Sequence, residues 1–185
     1  MLEVEQLAEG IYVVPHFLSD EECQSWIDYC EAKGFEEATV NAGRGRMVMM
    51  KSIRNNERYI HDDPALAEVL WQRAKNLVPS ELNISIACGL NERFRFYKYR
   101  PGHRFRQHQD GSYIRNINEW SEYTFMVYLN EGMSGGATNF LKLPVFPETG
   151  KALIFNHKLL HEGAEVTSGT KYVLRSDVMY RRKGT

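Results

Sequence analysis

The hydrophobic pattern changes character part-way along the chain. Before about residue 80, apolar side chains recur at helical spacing in two stretches; after Glu81 they fall into short runs of strand period, separated by Gly and Asn turns. Ser19 and Glu22 have the spacing of a capping box, which predicts a helix over about Asp20 to Lys33. Trp26, Ile27 and Cys30 form its apolar stripe, and Gly34 supplies a left-handed stop. Asp63 ahead of Pro64 opens a second helix with Leu66, Val69, Leu70 and Ala74 on its buried side, and Pro79 ends it.

Ile11–Val14, halted by Pro15, reads as a short strand. The later strands are expected over 82–88, 93–99, 105–110, 123–129, 137–141, 152–155 and 171–180. Two helices followed by many short strands predict helices packed on one side of a β-sandwich or barrel. The expectation is one domain over 1–185, with helical support at about 15–80 and a β core at about 82–182.

Lys plus Arg number 23 against 24 Asp plus Glu, a balance that gives no sign of a nucleic-acid or membrane-surface partner. The N-terminus lacks a basic start and an apolar run, and no later stretch is apolar enough to span a bilayer; the expected location is cytoplasmic. Cys23, Cys30 and Cys88 are odd in number and lack metal-site spacing, so they read as buried free thiols.

Candidate chemistry lies in the β half. In an extended strand His108 and Asp110 point the same way, aiming an imidazole and a carboxylate into one space. His161, 51 residues beyond Asp110, follows another apolar strand and could complete a two-histidine, one-carboxylate set, which leaves positions open on an iron ion. His157, four residues earlier, is the alternative ligand. Lys171 and Arg175 share strand parity, so both point inward if either does. An inward cation needs a partner, and an anionic cosubstrate would serve; Arg offers a planar fork and Lys a point charge. On the strand Arg93–Tyr99, Phe94 and Phe96 face a helix layer, leaving Arg95, Tyr97 and Tyr99 for a hollow interior. Arg95 and Tyr97 are therefore candidate substrate contacts, with Asn139 as a weaker one. The basic turn holding Arg44 and Arg46 could fold over an extended substrate, or be a solvated hairpin tip.

The runs Tyr99-Arg100-Pro101-Gly102 through His108-Gln109-Asp110-Gly111, Gly135-Gly136-Ala137-Thr138-Asn139-Phe140, and His161-Glu162-Gly163 through Gly169-Thr170-Lys171-Tyr172 carry a family resemblance. Together with the helix entry Phe17 to Cys23, they resemble the prolyl 4-hydroxylase-like branch of the iron(II)/2-oxoglutarate dioxygenases. The resemblance implies a mainly β fold with flanking helices, a double-stranded β-helix of the jelly-roll, cupin-like kind. It implies Fe(2+) held by His108, Asp110 and His161, and 2-oxoglutarate and O2 as cosubstrates, with ascorbate a further ligand to consider. The far carboxylate of 2-oxoglutarate would meet Lys171, assisted by Tyr99, or else Arg175. The activity implied is hydroxylation of a prolyl residue in a protein or peptide, or of a small molecule, with release of succinate and CO2. Two other functions compete: a cupin-like metalloenzyme without 2-oxoglutarate, and a non-catalytic binding or sensor module. The sequence leaves the oligomeric state open.

Overall fold

A computed structural model describes residues 2–41, 47–48, 50 and 52–184, with backbone alone for 40–41 and 47–48. Helix α1 spans Asp20–Lys33, with both halves of the Ser19–Glu22 capping box formed. Gly34 follows at φ +86°, a conformation that a side chain would resist. Helix α2 spans Pro64–Ala74, and the Asp63 carboxylate accepts from the Leu66 amide as its cap. Val69 is 53 % exposed, so the buried stripe runs instead through Ala67, Leu70 and Ala74.

Strands β1 (Glu5–Ala8), β2 (Ile11–Val14), β3 (Glu57–Asp62), β4 (Ser85–Leu90), β5 (Arg93–Tyr99), β7 (Glu119–Tyr128), β10 (Ala152–Asn156) and β12 (Lys171–Arg182) build the major antiparallel sheet. Its order is β1-β2-β10-β7-β12-β5-β3, and β4 pairs with the far end of β12. Strands β6 (Phe105–His108), β8 (Thr138–Phe140), β9 (Leu143–Val145) and β11 (His161–Gly163) form the minor sheet, in the order β6-β11-β8-β9. The fold is a mainly β jelly roll with flanking helices. The division expected near residue 80 is not kept: β3, from the expected helical stretch, pairs with β5 in the major sheet, and β2, ahead of that stretch, pairs with β10.

Strand alternation splits the core in two. On β5 and β12, Phe94, Phe96, Leu174, Val178 and Tyr180 pack towards the helices. Trp26 of α1 meets Phe96 with ring centres 5.2 Å apart, and the ammonium of Lys98 reaches Glu31 at 2.5 Å. The opposite parity sends Tyr97, Tyr99 and Val173 into the space between the sheets, where they join Met126, Phe140 and Phe155. One face of the major sheet thus makes the support layer, and the other makes the wall of a cavity. Cys23 and Cys30 lie buried as free thiols, and burial pushes them up to about 11 and about 12. No helix among the described residues is long and apolar enough to cross a membrane. Arg44 and Arg46 fall outside the described residues.

Candidate active site

The register of the minor sheet puts His108 of β6 directly opposite His161 of β11. Their rings approach to 4.3 Å between centres. Strand β6 ends at His108, so parity within a strand does not position Asp110, contrary to the sequence expectation. The Asp110 amide instead donates to the His157 carbonyl at 3.1 Å, and this bond brings the carboxylate back beneath both imidazoles. One donor atom from each of His108, Asp110 and His161 lies within 4.8 Å of the other two.

Local backbone orients each ring in the same way. His108 Nδ1 lies 2.7 Å from the Arg106 carbonyl, and His161 Nδ1 lies 3.0 Å from the Leu159 carbonyl. With Nδ1–H committed to a carbonyl, Nε2 keeps its lone pair for the centre, an arrangement suited to metal ligation. The two Nε2 atoms sit 3.6 and 3.7 Å from the oxygens of Asp110. Burial drives His161 down to about 4, so it is a neutral donor near pH 7. Burial would push the Asp110 carboxyl up, but Arg175, both histidines and the Thr124 hydroxyl hold it well below the carboxylate range. Two neutral imidazoles and one ionised carboxylate, with the remaining directions facing a cavity, fit a divalent first-row metal such as iron(II).

That cavity is lined by Tyr97, Tyr99, Phe105, Met126, Lys171 and Arg175 among others. The two inward cations differ sharply. Arg175 reaches Asp110 at 3.1 Å and Asp177 at 3.4 Å, so its charge is already compensated within the protein. Lys171 is 2 % exposed, and its Nζ donates only to the Gly136 carbonyl, at 2.5 Å. No carboxylate among the described residues pairs with it, and burial pushes it down to about 7. The Tyr99 and Tyr128 rings flank its ammonium at 5.1 and 5.3 Å. Gly135 and Gly136 adopt φ of +77° and +72°, and a Cβ at Gly135 would lie 2.1 Å from the Glu165 carbonyl oxygen. The Gly-Gly turn therefore presents its carbonyl to Lys171 where no side chain could fit.

The remaining candidates scatter. Tyr97 lines the cavity; against the upward push of burial, the guanidiniums of Arg54, Arg175 and Arg95 bring its phenol down to about 8. Arg95 turns to Asp177 at 3.4 Å instead of reaching the cavity wall, and Asn139 donates to Glu162. His157 stands apart from the three-donor cluster, 3.6 Å from Asp177. Asp177, of the same strand parity as Lys171 and Arg175, is the carboxylate that Arg175 and Arg95 share. Sequence reading missed Thr124, whose hydroxyl donates to Asp110 at 2.5 Å, and nothing in the local sequence signals that contact.

A jelly roll with three convergent nitrogen and oxygen donors beside an inward lysine defines a mononuclear metalloenzyme scaffold. Residues 94–176 match the model of the 2OG-Fe(II) oxygenase superfamily. Through that segment, from β5 into β12, the chain is similar to the 2-oxoglutarate-dependent dioxygenases. Its fold is similar to a viral collagen prolyl hydroxylase from Paramecium bursaria Chlorella virus-1, at 21 % identity and a TM-score of 0.64, covering 95 % of this chain and 99 % of that one. A Pseudomonas putida prolyl-4-hydroxylase matches at 20 % identity and a TM-score of 0.61, over 95 % and 94 % of the two chains. A Trichoplax adhaerens prolyl hydroxylase, in complex with a peptide of hypoxia inducible factor, matches at 16 % and 0.67, over 91 % and 83 %. No curated protein matches by sequence.

Proposed function

We propose that this protein is a hydroxylase that couples 2-oxoglutarate turnover, with release of succinate and CO2, to oxidation of a prolyl residue in a peptide or of a small molecule. The observation that carries the proposal is Lys171: a buried ammonium that no carboxylate among the described residues neutralises, on the same cavity wall as the three-donor cluster. A charge in that position is costly unless an anion joins it. The far carboxylate of 2-oxoglutarate supplies that anion, so in this reading Lys171 is the anchor. Tyr99, whose phenol burial pushes up to about 12, stays protonated beside it and can donate.

In the same reading His108, Asp110 and His161 hold the Fe(2+). The metal, when bound, supplies the activation of O2 that is coupled to decarboxylation of the cosubstrate. Arg175 and Thr124 fix the Asp110 carboxylate through its two oxygens. Phe105, Met126, Phe155 and Val173 exclude water around it. The Trichoplax complex supports a peptide as one substrate class. Ascorbate belongs in the assay as an added reductant, and a cytoplasmic location remains part of the proposal.

The test is an anaerobic titration of the iron(II)-loaded protein with 2-oxoglutarate, followed by its visible charge-transfer band and then, in air, by succinate release. Band and succinate together are the expected result. Iron that binds without a band at millimolar 2-oxoglutarate would transfer the lead to a cupin-like metalloenzyme.

A further inference from the structure

One cation at this site has no role in the proposed hydroxylase chemistry, and the role assigned to it rests on that chemistry. Arg54 is 6 % exposed and forms an isolated bridge to Phe105, on the ligand strand. Its guanidinium carbon lies 4.4 Å from the centre of the Tyr97 ring and 4.5 Å from that of Phe105. Both rings line the cavity, and Phe105 in turn stacks on His108 at 3.5 Å. The Nε of Arg54 donates to the neutral Asn56 side chain at 2.6 Å, while its buried Nη2 has no acceptor among the described residues.

Four nearby arginines have carboxylates: Arg95 has Asp177, Arg100 Glu57, Arg104 Glu165, and Arg175 both Asp110 and Asp177. Among the described residues no carboxylate pairs with Arg54. Attraction to two ring faces offsets only part of the cost of burying a charge. The sequence offers no relief nearby, because 38–56 contains Arg44, Arg46, Lys51 and Arg54 and no acidic residue. With Lys171 occupied by the cosubstrate, the charge of Arg54, held against the two lining rings of Tyr97 and Phe105, stays uncompensated among the described residues.

We propose that Arg54 determines substrate specificity: the primary substrate carries a carboxylate, which the guanidinium of Arg54 takes up beside Tyr97 and Phe105. That carboxylate belongs either to a small free acid or to an Asp or Glu side chain in a peptide, and matched probes separate the two.

The experiment loads the protein with Mn(2+) and N-oxalylglycine and titrates it by calorimetry with two acid/amide pairs. N-acetyl-L-proline against its amide tests a free acid; acetyl-Pro-Glu-amide against acetyl-Pro-Gln-amide tests a side-chain carboxylate. A charge-assisted, partly desolvated contact predicts a preference for the acid of about tenfold or more in one pair. That preference is expected to fall below about threefold in Arg54→Met and to return in part in Arg54→Lys. Equal affinity for acid and amide in the wild-type protein, or no binding of any probe, overturns the proposal even if Arg54→Met fails to fold. So does a preference that survives Arg54→Met, or a weakening of N-oxalylglycine itself by about tenfold in that variant, which would make Arg54 a cosubstrate anchor. Failure of 2-oxoglutarate to bind the iron form is read separately and strikes the hydroxylase reading instead.

Discussion

Replacing Lys171 with methionine should make the protein both more stable and unable to hold its cosubstrate. The ammonium is buried with one neutral acceptor, and burial moves it from an ordinary 10.5 to about 7. At about 1.36 kcal/mol per pH unit, that displacement of 3.5 (10.5 minus 7) sets a folding cost on the order of 5 kcal/mol while the group is protonated. Methionine keeps similar bulk but leaves the Gly136 carbonyl without its donor, a loss of about 1–2 kcal/mol. The net gain is then about 3–4 kcal/mol below pH 7, a rise of roughly 6–16 °C in Tm for a chain of this size.

The pH dependence fixes the cause. Between about 7 and 10.5 the unfolded lysine binds a proton that the folded one does not, so wild-type stability climbs with pH through this window. The advantage of the variant is complete below 7, shrinks across the window and reverses before 10.5, where the lost hydrogen bond to Gly136 leaves the variant about 1–2 kcal/mol the less stable. Denaturation of both proteins at pH 6.5, 8.5 and 10, without metal or 2-oxoglutarate, measures it. Calorimetry on the Mn(2+) form should show 2-oxoglutarate weakened by about 100-fold or more, as expected for loss of a buried charged contact. A variant no more stable at pH 6.5, a difference that does not change with pH, or unchanged 2-oxoglutarate affinity would refute the idea of an anion-seeking lysine.

Three further outcomes are expected from the same geometry. His108→Ala should abolish stoichiometric iron binding and succinate release together, and iron-dependent turnover retained in that variant would sink the three-donor assignment. Arg175→Met should destabilise the fold by about 3–5 kcal/mol, because Asp110 and Asp177 lose a shared cation in a buried place; equilibrium denaturation within 1 kcal/mol of wild type, a threshold of about this size being routine for such measurements, would show that the ion pairs are not needed. Gly135→Ala should cost at least about 2 kcal/mol, since its Cβ would collide with the Glu165 carbonyl at 2.1 Å and its φ of +77° disfavours a side chain; a thermal melt of that variant decides the point.

How much could be read in advance depended on how local the cause was. The capping box at Ser19, the cap at Asp63 and the strand Arg93–Tyr99 rest on neighbouring residues; α1 and β5 fall where the pattern puts them, and α2 starts at its cap but stops at Ala74, ahead of the expected end at Pro79. Period-two alternation likewise sorted Phe94 and Phe96 to the helices and Tyr97 and Tyr99 to the cavity. Strand β3 escaped notice because Glu57–Asp62 is polar and lies in the helical half; its place is decided by pairing with β5. Parity put Lys171 and Arg175 on one face but could not divide their labour.

The sequence by itself determined the element types, the inward faces and the residue kinds available for chemistry, since these follow from spacing and side-chain character. Tertiary structure alone decided that His108 lies across from His161, that the His157 carbonyl turns Asp110 back towards them, and that Arg175 finds carboxylates while Lys171 and Arg54 find none among the described residues. The physical reason is that whether a buried charge is satisfied depends also on partners far along the chain, as Arg175 depends on Asp110, 65 residues before it. Only sheet register brings those partners within reach.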